Sequence, residues 1–515
     1  MNWSYVAERN AKDYPEREAL VFEERRITYR SLNERVNAVA KGLLDFGVKK
    51  GDVVAIHLYN CPEYFELTFA INKVGGIWLP VNWRLAGDEL AYILNHSQAK
   101  ILISEMEFYK TVASIKDQLT SVRQFIGVGK DVPPGWTSYD DIVERNLGCE
   151  VPHASVELSD LQRLMYTSGT TAYPKGAMIT YGNVYSKNMA HIITMKLSHE
   201  ERCLVTGPMY HVGGMDLPLT SVMYLGGATA VILRRFAPVQ ILEAIQREKI
   251  TAIFAAPAML NVLFQERTFE NYDVSSLRIV IDGAEKIPLP TVDKFAQLLP
   301  KTYLLDGYGL TETVGGVSYM PFDRDIMIRK AGAAGKPIIG VRLRIVDDNG
   351  KDVPQGSPGE IVVKGGQVFK GYWKSAEATA EAIKDGWFYS GDIGYFDDEG
   401  YLYIVDRKKD MIKSGGENIA SAEVERVIYE LPQVFETAVV GIPHPKWLEV
   451  PKAFIVLKEG QTLTEQDIIE HCTLRLAKYK VPKEVQFISA LPRNPSGKVL
   501  KRELRKSSGV SGSQW

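Results

Sequence analysis

The chain has 515 residues, 45% apolar and 24% charged, with a formal net charge of −2; these are ordinary globular values, with length for a large core and about two to four structural units. The near-neutral balance, with no basic run and no aromatic–basic interleaving, argues against nucleic acid as a partner. Cys61, Cys149, Cys203 and Cys472 are scattered without Cys-x-x-Cys spacing, which predicts reduced thiols of a cytosolic protein rather than a disulfide frame or zinc site.

The opening Met1-Asn2-Trp3-Ser4 turns charged by Glu8 and has no signal-peptide core. Leu32, Val36, Val39, Leu43 and Phe46 recur at alternating steps of four and three, one apolar stripe of a helix that Thr28 would cap and Gly47 would end. Residues 53–58 read as a buried strand, 63–74 as a helix and 78–81 as a further strand, and this alternation predicts a wound, mostly parallel sheet. The apolar run 222–233 is too short to span a bilayer and contains two glycines. The expectation is a soluble, cytoplasmic protein without an integral membrane segment, with peripheral membrane contact left open.

From Gly359 onward the pattern changes. Residues 360–363 and 401–405, with the turn Asp397-Asp398-Glu399-Gly400, read as antiparallel β structure. After Lys409 come a helix at 422–429, strands at 437–441 and 453–457, and a helix at 465–476, an α+β unit of plausible domain size. The Ser/Gly-rich end, 507–515, is predicted to be disordered.

Residues 166–176 read Tyr-Thr-Ser-Gly-Thr-Thr-Ala-Tyr-Pro-Lys-Gly. Thr167, Ser168, Thr170 and Thr171 bring hydroxyl donors, Gly169 lets the backbone come close and Lys175 adds a cation, which suits a polyphosphate. The largely apolar 161–165 before it would be the delivering strand. This is not a Walker loop, because Pro174-Lys175-Gly176 stands where that motif needs Gly-Lys-Ser/Thr. Taken alone, it has a polar surface turn as its alternative reading.

Further motifs follow in order: Tyr308-Gly309-Leu310-Thr311-Glu312, Tyr389-Ser390-Gly391-Asp392, Asp406-Arg407-Lys408-Lys409-Asp410, and Lys498 in Asn494-Pro495-Ser496-Gly497-Lys498. In this order, from about Thr28 to Lys501, the chain resembles the adenylate-forming superfamily of acyl-CoA synthetases, peptide-synthetase adenylation domains and luciferase, and looks closest to fatty-acyl-CoA synthetases. The resemblance implies a large N-terminal α/β domain with a β-rich subdomain (1–408), then a small mobile α+β lid (409–515) hinged near Lys409. It implies ATP, Mg²⁺ and CoA as cosubstrates and cofactor, and small molecules as partners, with a homodimer left open.

The chemistry implied is attack of a carboxylate on the α-phosphorus of ATP, then displacement of AMP by a thiol. The family pattern assigns residues 167–175 to the β- and γ-phosphates, and Tyr308 with Gly283, Ala284 and Glu285 to the adenine. Thr311 goes to the α-phosphate, Glu312 to Mg²⁺, Asp392 to the ribose hydroxyls, and Arg407 to the ribose or α-phosphate. Lys498 bridges the substrate carboxylate and α-phosphate. After a rotation about Lys409, Lys413 reaches the site, and Gly415 and Gly416 leave room for pantetheine. Most relatives carry glycine where Ala172 stands, a departure that puts the loop geometry in question.

His211 matches the family's aromatic position beside the acyl carboxylate, with a buried core histidine as the alternative. The pocket is assigned to segments containing Gly213, Gly214, Ala256, Gly307 and Gly315, with no Lys or Arg in them, which fits an uncharged tail. Small residues could leave a deep slot for a fatty chain or a flat one for an aromatic ring. The similarity leans to medium- or long-chain fatty acids, with cinnamate- or benzoate-type acids and a carrier-protein acceptor as alternatives. A luciferase-like oxygenase and a non-catalytic acyl-nucleotide sensor are the readings from other classes.

Overall fold

The computed structural model describes residues 2–167, 174–283, 287, 289–414, 417–493 and 499–508. The chain divides into a larger unit, residues 1–343 and 363–388, and a smaller one, residues 344–362 and 389–515.

The larger unit is built on two sheets. One runs Thr137–Ser138, Gln124–Val128, Ile101–Glu105, Val53–His57, Ile77–Pro80, Leu161–Thr167, Lys175–Thr180. Its pairings are parallel except the last. The other has nine strands and a parallel centre, where Arg202–Val205, Ala252–Phe254, Ile279–Asp282 and Tyr303–Leu310 lie in sequence. Crossover helices cover both, as parallel strands require.

Local signals set these elements. Thr28 Oγ1 accepts from the Ser31 N–H at 3.2 Å and starts helix Tyr29–Asp45, and Gly47 follows its end with φ +77°. The predicted 53–58, 63–74 and 78–81 elements appear as Val53–His57, Pro62–Lys73 and Ile77–Pro80. The apolar run 222–233 is divided by its glycines into the end of helix Leu219–Leu225 and the strand Thr229–Ile232. Among the described residues no helix is long and apolar enough to cross a membrane.

The smaller unit is α+β, and its sheets are mostly antiparallel, with Glu484–Phe487 parallel to Leu448–Leu457. Val434–His444 pairs along its length with Leu448–Leu457, and Ile412–Ser414 with Glu417–Ile419 extends that sheet. Ile412, Val424, Val427, Val439, Ile455, Ile468 and Cys472 form one apolar cluster that packs helices Ser421–Ile428 and Glu465–Thr473 on the sheet. Strand Leu402–Arg407 lies antiparallel to Trp387–Phe396, placing Arg407 opposite Asp392.

Candidate active site

Strands Leu161–Thr167 and Lys175–Thr180 form the stem of the hydroxyl-rich loop, with Thr167 opposite Lys175 and Tyr166 opposite Gly176. Ser168, Gly169, Thr170, Thr171 and Ala172 lie outside the described residues. The stem is held on both sides. Tyr166 OH bonds His96 Nδ1 at 2.7 Å, and Trp373 Nε1 donates to the His96 carbonyl at 3.2 Å. Burial, then the charge of Lys374, lowers the His96 pKa. On the other side, Trp373 N–H donates to Gly176 O at 2.7 Å and Met178 N–H to Gly371 O at 2.9 Å. Lys175 Nζ stands 5.3 Å from the ring centroid of Tyr372.

Strand Tyr303–Leu310 follows its parallel neighbour Ile279–Asp282, turns through Thr311–Thr313 and returns as Gly315–Tyr319. Thr313 Oγ1 pins the turn, accepting from Leu310 N–H at 2.9 Å and donating to Gly315 O at 2.7 Å. Gln367 Nε2 donates to the carbonyls of Thr313 and Gly316 at 2.8 and 3.0 Å. Tyr308 and Glu312 are buried and Thr311 is half-buried. Gly283 ends the neighbouring strand, where a Cβ would come within 2.9 Å of Gly307 O; Ala284 and Glu285 lie outside the described residues.

Glu312 is the carboxylate of this turn. Its Oε1 accepts from Tyr372 OH at 2.9 Å, and its carbonyl accepts from Phe369 N–H at 2.8 Å. Among the described residues no group of three or more His, Cys, Asp or Glu could hold a metal ion. A single carboxylate is of the kind that suits Mg²⁺, which is usually bound by one or two carboxylates together with substrate phosphates.

His211 caps helix Val212–Asp216, its Nδ1 accepting from Gly213 N–H at 3.1 Å. The ring proton of the neutral imidazole is therefore on Nε2. The small residues nearby do not leave open space. A Cβ on Gly213 would lie 2.6 Å from Phe254 Cε1, one on Gly214 2.6 Å from the Pro208 carbonyl carbon, and one on Gly307 2.5 Å from Tyr319 Cε1. At Gly315 it would meet Leu217 and His191 at 3.3 and 3.4 Å. At these glycines aromatic rings and backbone come close to the position a Cβ would take. Ala256 is half-buried and caps helix Pro257–Gln265.

Sequence reasoning missed a fully buried ion cluster at the far end of the His211 helix. Asp216 lies 2.7 Å from Arg163 Nη2 and 3.4 Å from Lys187 Nζ. Lys187 also donates to Asn188 Oδ1, the Asp216 carbonyl and Thr220 Oγ1. Burial works to raise the Asp216 pKa, but Arg163 and Lys187 outweigh it and hold the carboxyl below its usual range. The one carboxylate is shared by two cations, and the cluster ties the end of the helix to Arg163 and Lys187. Its members are far apart in sequence, and no local pattern announces it.

In the smaller unit, Arg407 Nε lies 2.6 Å from Oδ1 of the buried Asp392. The preceding turn is fixed: Ser390 Oγ accepts from Asp392 N–H at 3.1 Å and donates to Ile361 O at 2.7 Å, and Glu360 Oε1 accepts from Gly391 N–H at 3.1 Å. Asp406 Oδ2 accepts from Ser421 N–H at 2.6 Å, tying the charged knot to helix Ser421–Ile428. Lys409 is exposed, next to Asp410, which pairs with Arg505 at 2.9 Å. Lys413 is exposed, its N–H donating to Glu449 Oε2 at 2.8 Å. Gly415, Gly416, Lys498 and residues 509–515 lie outside the described residues.

Comparison with known proteins fits this arrangement. Residues 7–373 match the AMP-binding enzyme family, and residues 423–498 match the AMP-binding enzyme C-terminal domain. A feruloyl-CoA synthase of Amycolatopsis sp is 38% identical over 94% of both chains. The long-chain-fatty-acid–CoA ligase FadD13 of Mycobacterium tuberculosis is 36% identical over 93% of both. The crystal structure of the anthranilate CoA ligase AuaEII in complex with anthranoyl-AMP superposes with a TM-score of 0.91 at 28% identity, covering 99% of this chain and 97% of that one. The chain belongs to the AMP-binding enzyme family and is an AMP-forming acid–thiol ligase that works with ATP, Mg²⁺ and CoA.

Proposed function

We propose that the protein activates an aryl carboxylic acid of the cinnamate or benzoate type as its acyl-adenylate and transfers the acyl group to CoA. The observation that carries this is the filling of the glycine-lined segments: the Phe254 ring lies against Gly213 and the Tyr319 ring against Gly307. Rings at the acyl site would favour a planar acid by stacking. They do not favour a long alkyl chain, which needs a continuous channel. The feruloyl and anthraniloyl ligases among the similar proteins support the same choice. A medium- or long-chain fatty acid is the second reading, favoured by the similarity to FadD13.

One carboxylate oxygen of the acid attacks the α-phosphorus, and the bond to the bridging oxygen breaks, releasing pyrophosphate. The CoA thiol, losing its proton, then attacks the acyl carbon and AMP leaves with the anhydride oxygen. The first step needs no protein nucleophile, because the acid is itself ionised at neutral pH. It needs placement of two anions and compensation of their charge. Residues 167–175, with Lys175, serve the β- and γ-phosphates; Tyr308 and residues 283–285 the adenine; Thr311 the α-phosphate. Glu312 would hold Mg²⁺, which would supply positive charge against the phosphate oxygens. Asp392 accepts from the ribose hydroxyls, with Arg407 beside it, and Lys498 contacts both reacting oxyanions. Lys409 is the hinge of a lid, 409–515, and Lys413 with Gly415 and Gly416 serves the thioester step.

Pyrophosphate release with ATP and Mg²⁺ across benzoate, anthranilate, cinnamate, ferulate and C4 to C18 fatty acids, with and without CoA, tests the reading. A CoA-dependent maximum on an aromatic acid is the expected result. A maximum on a fatty acid would keep the reaction and overturn the aryl assignment.

A further inference from the structure

The segment from Phe369 to Trp373 was not singled out by any motif, yet it touches both groups assigned to the triphosphate end of ATP. Lys370 N–H donates to Met178 O, and Tyr372 forms an antiparallel bridge with Ala177, so the segment runs as an added edge along the stem strand Lys175–Thr180. Its backbone is fixed from the other side by Thr379 Oγ1, which accepts from Tyr372 N–H at 2.9 Å. The Phe369 ring packs edge-on to the Tyr372 ring with centroids 4.9 Å apart.

From this fixed position Tyr372 reaches two ways. Its hydroxyl donates to Glu312 Oε1 at 2.9 Å. Its ring lies 5.3 Å from Lys175 Nζ, within cation–π range. Glu312 is thus gripped twice from one short segment, at its carbonyl by Phe369 N–H and at its carboxylate by Tyr372. Lys175 and Glu312 form no ion pair with each other among the described residues. A lysine and a glutamate both serving one triphosphate would lose their charge to each other if they met. The tyrosine gives each a separate place, the ring for the ammonium and the hydroxyl for one carboxylate oxygen. The other oxygen remains for a cation.

We propose that Tyr372 is a positioning residue of the adenylation step, orienting the Glu312 carboxylate through its hydroxyl and the Lys175 ammonium through its ring. The proposal rests on the reading that Glu312 meets the metal and Lys175 the phosphates.

The test uses the full chain with Tyr372→Phe and Tyr372→Leu. ATP binding is measured by calorimetry without acid or CoA, once with Mg²⁺ and once with EDTA, and thioester formation is followed separately from supplied acyl-adenylate. The phenylalanine variant keeps the ring and loses the hydrogen bond to a charged group. It is expected to bind MgATP about tenfold more weakly while binding ATP in EDTA as the wild type does. The leucine variant is expected to weaken binding in both media. Thioester formation from the adenylate should be unchanged in both, a separation that a general loss of structure would not produce. Unchanged MgATP affinity in Tyr372→Phe, or equal losses with and without Mg²⁺, would overturn the proposal; should Tyr372→Leu fail to fold, Tyr372→Phe decides it alone. If wild-type binding itself ignores Mg²⁺, the reading of Glu312 fails instead, and with it the proposal's premise.

Discussion

Tyr319 stands opposite Gly307 in the antiparallel ladder, and its ring occupies the space where a side chain on Gly307 would begin. A Cβ there would sit 2.5 Å from Tyr319 Cε1 and 2.6 Å from the Ser318 carbonyl oxygen. One neighbour is a ring held edge-on to His191 and the other is backbone, so neither yields cheaply. Gly307→Ala should therefore cost about 1–3 kcal/mol through overpacking. Because the displaced ring is assigned to the acyl wall, KM for the acid should rise more than KM for ATP. Thermal unfolding and initial rates against both substrates check this; a variant with both constants intact would take Tyr319 out of the wall.

The Asp392–Arg407 pair predicts an asymmetry between its two members. Asp392 is only 3% exposed, whereas the Arg407 side chain is 43% exposed and water can take over its solvation. Removing the arginine leaves a buried carboxylate without that partner, the costlier error. Arg407→Met should lower the thermal midpoint by about 2 °C or more. Asp392→Asn should leave it nearly unchanged while weakening ATP binding about tenfold, since the amide keeps only one of the two carboxylate acceptors proposed for the ribose hydroxyls. Thermal scans paired with calorimetric ATP titrations separate the two; equal effects on both readouts would make the pair structural only.

These two sites show where sequence was sufficient and where it was not. The helix Tyr29–Asp45 was legible because its apolar stripe, its cap at Thr28 and its stop at Gly47 are all local. The alternation that follows, and the antiparallel turn closed by Gly400, were equally readable. The ordered motifs around Lys175, Glu312 and Asp392 were enough to read the family, because each is a compact string. Tyr372 was invisible because its partners, Glu312 and Lys175, lie far back in the chain and meet it only through sheet pairing. Asp216, Lys187 and Arg163 were hidden for the same reason. At Gly213 and Gly307 the sequence states only that a Cβ is absent, not whether space or a neighbouring ring takes its place.

Two histidines give the larger unit a defined acid response. His57 and His191 are fully buried, and burial lowers each from the ordinary 6.5 to about 3. Below about pH 6.5 the unfolded chain takes up a proton at each position while the folded one does not. Stability is therefore complete above that pH and falls as pH drops toward 3, by about 1.4 kcal/mol per unit for each histidine. Thermal midpoints at pH 7.5, 6.0 and 5.0 should show the decline, and His57→Gln with His191→Gln should flatten it. Parallel profiles for wild type and the double variant would assign the acid response to other groups.

The order of the two half-reactions gives the last expectation. Two oxyanions brought together in a poorly solvated site repel by several kcal/mol, so an ammonium between them matters for adenylation and has no such task once the anhydride has formed. Lys498→Ala should therefore abolish most adenylation, measured as acid-dependent pyrophosphate exchange, while thioester formation from supplied acyl-adenylate survives. Lys409 is exposed and stands between the buried Asp406 and Asp410, each of which is tied to its own helix or partner. On the proposed reading the backbone there is the hinge of a rotating lid, and Lys409→Pro would fix its φ near −65°. Adenylation should persist in that variant and the thioester step should slow. If Lys498→Ala and Lys409→Pro each slow both half-reactions equally, the two steps share one arrangement of the chain, and neither the bridging role nor the hinge holds.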